Sequence, residues 1–101
     1  MHNAALMAVL LQLSVAPATQ DQVYELDAQV EQSMEQTGGP PAGLMSHVVY
    51  PEGDGFVMID VWRGEAEGRS FLDDVLLPLM TELGLTAQEI RSRPVWSFAR
   101  P

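Results

Sequence analysis

Two ionisable residues sit inside an otherwise apolar stretch, "GLMSHVVYPEGDGFVMIDVW", at residues 43–62. His47 interrupts the first apolar run and Asp60 the second. Imidazole changes charge near neutral pH, and a carboxylate beside it orients the ring and stabilises the imidazolium. Such a pair can take a proton from a substrate or return one. The stretch reads as two strands around the turn "PEGDG", so whether the two residues meet is a question of register. If Tyr50 pairs with Phe56, Ser46 faces Asp60 and His47 goes beneath the helices. If Pro51 pairs with Phe56, His47 faces Asp60 and Met45 lies beside Trp62. The second register buries Ser46, whose hydroxyl can bond nearby backbone, in place of an imidazole that cannot. An unpaired buried polar group costs about 1–3 kcal/mol, so desolvation favours the His47–Asp60 pair.

Strand alternation extends the site. Val57, Ile59 and Val61 are uniformly apolar and are assigned to the helix-packed side. Phe56, Met58, Asp60 and Trp62 then share the opposite face with His47, in a cavity between two facing sheets. Trp62, Met58 and Trp96 or Phe98 would wall that cavity, and Gln12 and Ser14 would offer hydrogen bonds. A mostly apolar cavity with a few converging polar groups is the usual form of a small-molecule site. The expected substrate is aromatic or cyclic, with His47 as base and Asp60 as its orienter. The same residues also fit a plainer reading, a structural ion pair beside a tryptophan in an interface.

Composition narrows the classes. The chain has 101 residues, which is one domain, with residues 1–5 expected as a flexible N-terminus and 6–101 as the folded unit. Hydrophobic residues make up 47% and charged residues 19%, a globular balance. The net charge is −9, and the five basic residues are scattered arginines. Nucleic acid and anionic membrane are therefore not expected partners, because phosphate binding needs clustered Lys and Arg. No cysteine is present, which removes disulfides, thiol nucleophiles and cysteine-ligated metals. With two histidines, one of them His2, no metal site is expected. No dinucleotide fingerprint, phosphate loop or serine elbow occurs, so no cofactor is expected either. The run "AALMAVLLQLSVAPA" imitates a signal peptide. It lacks a preceding Lys or Arg, Gln12 and Ser14 interrupt it, and it is too short to span a bilayer. It is read as a mature strand, and the protein as cytoplasmic.

The elements that would position the pair follow from periodicity. Residues 6–15 alternate as a strand, with Val9, Leu11, Leu13 and Val15 on a dry face and Leu10, Gln12 and Ser14 on a mixed one. Thr19 and Gln22 form a capping box. Val23, Leu26, Val30 and Met34 recur at helical spacing, and Asp21, Glu25, Asp27, Glu31 and Glu35 are assigned to a solvated face. "TGGPPAG" ends this helix. After the hairpin, "GEAEG" is read as a loop. Ser70 with Asp73 marks a second helix start, Leu72, Val75, Leu76, Leu79 and Leu83 form its stripe, and Pro78 must kink it or mark a break. "EIRSRPVWSFA" reads as an edge strand.

The order is βαββαβ, an α+β ferredoxin-like fold: a four-stranded antiparallel sheet with two helices on one face. The uncovered face carries too much apolar surface to meet water, which implies a second copy packed sheet to sheet into an α/β barrel.

The element order, the stretch "GLMSHVVYPEGDGFVMIDVWRGEAEGRSFLDD" and the closing "RPVWSFARP" resemble the dimeric α/β-barrel superfamily, in particular small proteins like the antibiotic biosynthesis monooxygenases. The resemblance covers roughly residues 6–100. It implies a homodimer with a pocket in each subunit. Some cofactor-free monooxygenases of this group oxidise polyketide-like aromatic phenols, using the substrate's own anion to activate oxygen. The implied function is a small cofactor-independent monooxygenase acting on an aromatic or polyketide-derived metabolite of secondary metabolism. The alternatives are a non-catalytic binding or structural dimer, and a non-oxidative isomerase or cyclase with His47 as base. Several relatives carry an Asn–Trp–His set. Here Trp62 and His47 match two of its parts, while the only asparagine is Asn3.

Overall fold

The computed structural model describes residues 7–99. The expected flexible segment 1–5, with Asn3, lies outside them. Four strands and two helical arms follow in the expected order: β1 (Val9–Val15), α1 (Gln20–Gln36), β2 (Leu44–Glu52), β3 (Gly55–Trp62), α2 (Glu65–Phe71), α3 (Leu77–Glu82) and β4 (Ala87–Pro94). The sheet order is β2-β3-β1-β4, antiparallel throughout. This is the ferredoxin-like arrangement.

Local sequence explains the helix ends. Thr19 Oγ1 accepts from Gln22 N–H at 3.2 Å, and Gln22 Oε1 accepts from Thr19 N–H at 2.9 Å, a complete capping box. At the other end Gly38 takes φ +95°, and Gly39 N–H reaches back to Met34 C=O at 2.8 Å. That left-handed turn closes the helix. The β2–β3 hairpin turns at Gly53 and Asp54, with Gly53 at φ +58°.

The second arm corrects two expectations. "GEAEG" is not a loop: the helix starts at Glu65, five residues before Ser70. Acidic residues in its first turn suit the positive end of the helix dipole. Ser70 is inside the helix, where its hydroxyl donates to Asp74 Oδ2 at 3.2 Å. The irregularity expected at Pro78 lies upstream of it, where a π-helical turn over Leu72–Leu76 breaks the α-helix in two. Proline cannot donate to the ladder, and the widened turn, with Leu77 N–H on Leu72 C=O, absorbs the mismatch.

The facing of the sheet is also corrected. In the register Val9↔Trp62, Leu11↔Asp60, Leu13↔Met58 and Val15↔Phe56, the dry face of β1 shares a side with the large residues of β3. The core lies on that side, where Leu13, Val15, Phe56 and Met58 pack with Leu26, Leu72, Leu76, Met80 and Leu85. Phe56, Met58, Asp60 and Trp62 therefore face the helices, with His47 beside Asp60, and Ser46, Val57, Ile59 and Val61 take the opposite face, where Val57 and Val61 are still buried. The reason is volume: the space between sheet and helices needs large side chains, whereas β-branched ones suit a flat sheet surface.

Candidate functional site

The hairpin register places the pair. Pro51 opposes Phe56 and His47 opposes Asp60. A bulge between Leu44 and Ser46 sets Leu44, not Met45, against Trp62. His47 Nδ1 stands 2.6 Å from Asp60 Oδ1. The His47 side chain is 42% exposed and that of Asp60 10%. The carboxylate is thus held inside and the ring reaches from it toward open space. With Nδ1–H donated to Asp60, Nε2 is left as the working nitrogen.

That space is a cavity of about 350 Å³ between α1 and the sheet. Leu26, Val30 and Met34 form its roof, Met58 and Leu44 its floor, and Phe71 and Leu76 close one end. His47, Asp60, Asp27 and Glu31 are the ionisable groups on its wall. An apolar chamber with a hydrogen-bonded imidazole at its edge suits an aromatic ligand that presents one acidic proton.

Electrostatics favours the imidazolium. The hydrogen bond that His47 donates to Asp60 raises the His47 pKa above its ordinary value of 6.5. Partial burial opposes the rise, and the negative charges of Asp60 and Asp27 add to it. The pKa of Asp27 is itself raised, because burial disfavours its charged form, with His47 pulling the other way. Two acid–base groups thus face one chamber from α1 and β2.

The structure brings three of the expected residues into this chamber, His47, Asp60 and Met58. The inverted sheet face moves the others. Trp62 is 1% exposed and packs beside the chamber with Val9 and Leu11, its ring 5.5 Å from that of Phe71. Gln12 and Ser14 pair with Ile59 and Val57 and lie toward the open face. Trp96 and Phe98 follow the end of β4, and Trp96 is 91% exposed. The chamber therefore lies under α1, not between two sheets.

Asp27 and Glu31 were hidden among the acids of a solvated face. Spacing could have found Asp27: it sits four residues after Val23 and three before Val30, within the sheet-facing stripe. Among the described residues no group of acids and histidines is arranged to hold a metal, and no helix is long and apolar enough to cross a membrane.

No protein-family model and no curated protein matches the chain. Solved structures do. SnoaB, a cofactor-independent oxygenase from Streptomyces nogalater, aligns over 94% of this chain and 93% of its own at 21% identity, with TM-score 0.55. A candidate antibiotic biosynthesis monooxygenase from Chloroflexus aurantiacus J-10-fl aligns over 93% and 97% at 15% identity, TM-score 0.59. NE2512 of Nitrosomonas europaea, a protein of unknown function, aligns over 96% and 97% at 13% identity, TM-score 0.62. At these identities the likeness carries the fold alone, and that fold is the ferredoxin-like one of the antibiotic biosynthesis monooxygenase-like proteins.

Proposed function

We propose that the protein is a small cofactor-independent monooxygenase acting on an aromatic or polyketide-derived phenol, as a cytoplasmic homodimer. The observation that carries this reading is the 2.6 Å His47–Asp60 pair at the wall of an apolar chamber of about 350 Å³. Neutral His47 takes the phenolic proton through Nε2, and Asp60 stabilises the imidazolium that forms. The electron-rich anion then reduces dioxygen itself. One oxygen atom enters the ring as a quinone carbonyl, and the other leaves as water with two hydrogens from the substrate. The protein supplies the base, the orientation and an apolar chamber for the ring. A protein of this fold whose chemistry is cofactor-independent oxygenation shows that the fold can house such a reaction.

The dimer belongs to the same proposal. Leu10, Ile59, Val48 and Tyr50 lie on the sheet face opposite the helices, and Val48 and Tyr50 are exposed. A second copy packed there would cover them.

Oxygen uptake with an electron-rich polycyclic phenol tests the reading. The expected result is one dioxygen consumed per phenol without added cofactor, lost in His47→Gln. Conversion that proceeds without oxygen would move the chemistry to isomerisation or cyclisation by the same base. Saturable binding with no conversion would leave a binding protein.

A further inference from the structure

Asp60 borders two spaces. One is the chamber under α1. The other is a void of about 20 Å³, also bordered by Leu11, Met58, Trp62, Gly68 and Phe71. Among the described residues, the indole Nε1 of Trp62 is the buried side-chain polar atom without a hydrogen-bond partner. It sits on a side chain only 1% exposed. The Cδ1 edge of the indole, to which Nε1 is bonded, turns toward Gly68. A Cβ built at Gly68 would stand 2.9 Å from Trp62 Cδ1 and 2.9 Å from Leu11 Cδ1. Glycine at this position keeps the space beside the indole N–H open.

A buried donor with no acceptor loses its hydration and gains nothing in return, so native proteins rarely leave one unmet. A site needs about 10–15 Å³ and two or more polar partners to hold a water. This void has the volume, and Trp62, Asp60 and Gln12 are the residues on its lining that carry polar side-chain atoms. Oδ1 of Asp60 is engaged by His47. The other oxygen has lone pairs to offer.

We propose that this void holds one ordered water, which accepts from Trp62 Nε1–H and donates to Asp60, so that Trp62 positions the His47–Asp60 pair through it. Dioxygen would fit the apolar walls but has no proton to donate, and a reduced-oxygen anion would meet the carboxylate. Water serves both partners at once. The consequence for catalysis rests on the reading of His47 as the base. Held at both oxygens, Asp60 cannot rotate away, and the imidazole keeps Nδ1–H inward and Nε2 outward.

The test has two parts, neither of which uses a substrate. In the unaltered protein, the Trp62 indole proton should show through-space transfer to a long-lived water by NMR, and a high-resolution crystal structure should show density in the void. The exposed Trp96 indole serves as the control. An empty void, with no long-lived water at Trp62, overturns the proposal. In Trp62→Phe the donor is gone while an apolar ring remains. The His47 titration, followed by NMR, should then move down toward the ordinary histidine range as Asp60 is released. The charged groups around His47 are Asp60 from β3 and Asp27 and Glu31 from α1, while Phe71 and Leu76 bring no charge from the second arm. An unmoved titration in a folded variant overturns the positioning role. If the variant does not fold, the water measurement on the unaltered protein decides. An inactive protein that still holds the water would end the oxygenase reading and leave this one standing.

Discussion

His47 and Asp60 face each other across the β2–β3 hairpin, with Nδ1 2.6 Å from Oδ1, and the pair opens into a chamber beneath α1. The carboxylate is the more buried partner, so it holds the ring from the protein side and leaves Nε2 on the side away from it.

Asp60→Asn should lower the His47 pKa. The hydrogen bond donated to Asp60 is the largest cause of its elevation, and the carboxylate's charge adds to it. An NMR titration of His47 checks this, and an unchanged value would mean that the pair does not persist in solution.

Asp27→Asn should lower the same pKa by less, because its charge is the smallest contribution to the shift. A fall as large as that of Asp60→Asn would mean that Asp27, not Asp60, is the main partner of His47. Under the proposed oxygenase function, activity in Asp27→Asn should begin at lower pH, since His47 is neutral over a wider range.

Stability should follow the same proton. His47 has a higher pKa folded than unfolded, so the folded state holds its proton more tightly. That stabilisation is complete below about pH 6.5 and fades as pH rises through the folded value. The melting temperature of the unaltered protein relative to His47→Gln should therefore be most favourable in mild acid and decline toward pH 8. Exposure of the ring keeps the effect small.

Gly55→Ala should be far more damaging than its size suggests. A Cβ at Gly55 would lie 1.9 Å from the backbone carbonyl of Val15, at the turn end of the β1–β3 pairing. Backbone in a paired strand cannot step aside as a side-chain tip can, so a loss of at least about 2 kcal/mol is expected in urea unfolding.

Much of this was legible in the sequence. The capping box at Thr19 and the hairpin turn at Gly53 rest on local chemistry that tertiary structure had no reason to override. The pairing of His47 with Asp60 was read in the right register but on the wrong premise: desolvation was expected to put Ser46 beneath the helices and keep His47 away from them, whereas His47 faces α1 and Ser46 lies on the opposite side with Val61. The facing of the sheet was not read correctly, because β3 is apolar on both sides and its alternation alone is ambiguous. The clue lay in β1, whose drier face carries Val9, Leu11, Leu13 and Val15 and pairs with Trp62, Asp60, Met58 and Phe56. Matching dry face to bulky face would have set the chamber under α1 and released Gln12 from it. The early start of α2 was hidden by Gly68, which suggests a loop by propensity but fits closely against Trp62 and Leu11. Trp96 was assigned to the last strand, but β4 ends at Pro94. Just beyond it, Val95 N–H donates to Ala8 C=O at 2.9 Å.

The most direct test of the central claim is an NMR titration of the protein with an aromatic polycyclic phenol, reading the His47 ring, the Met58 methyl and the Ile59 methyl together. Met58 faces the chamber and Ile59 the opposite side of the sheet. The site described predicts saturable shifts at His47 and Met58 with Ile59 unmoved. Shifts at Ile59 with His47 and Met58 silent would place the ligand on the open sheet face and contradict it.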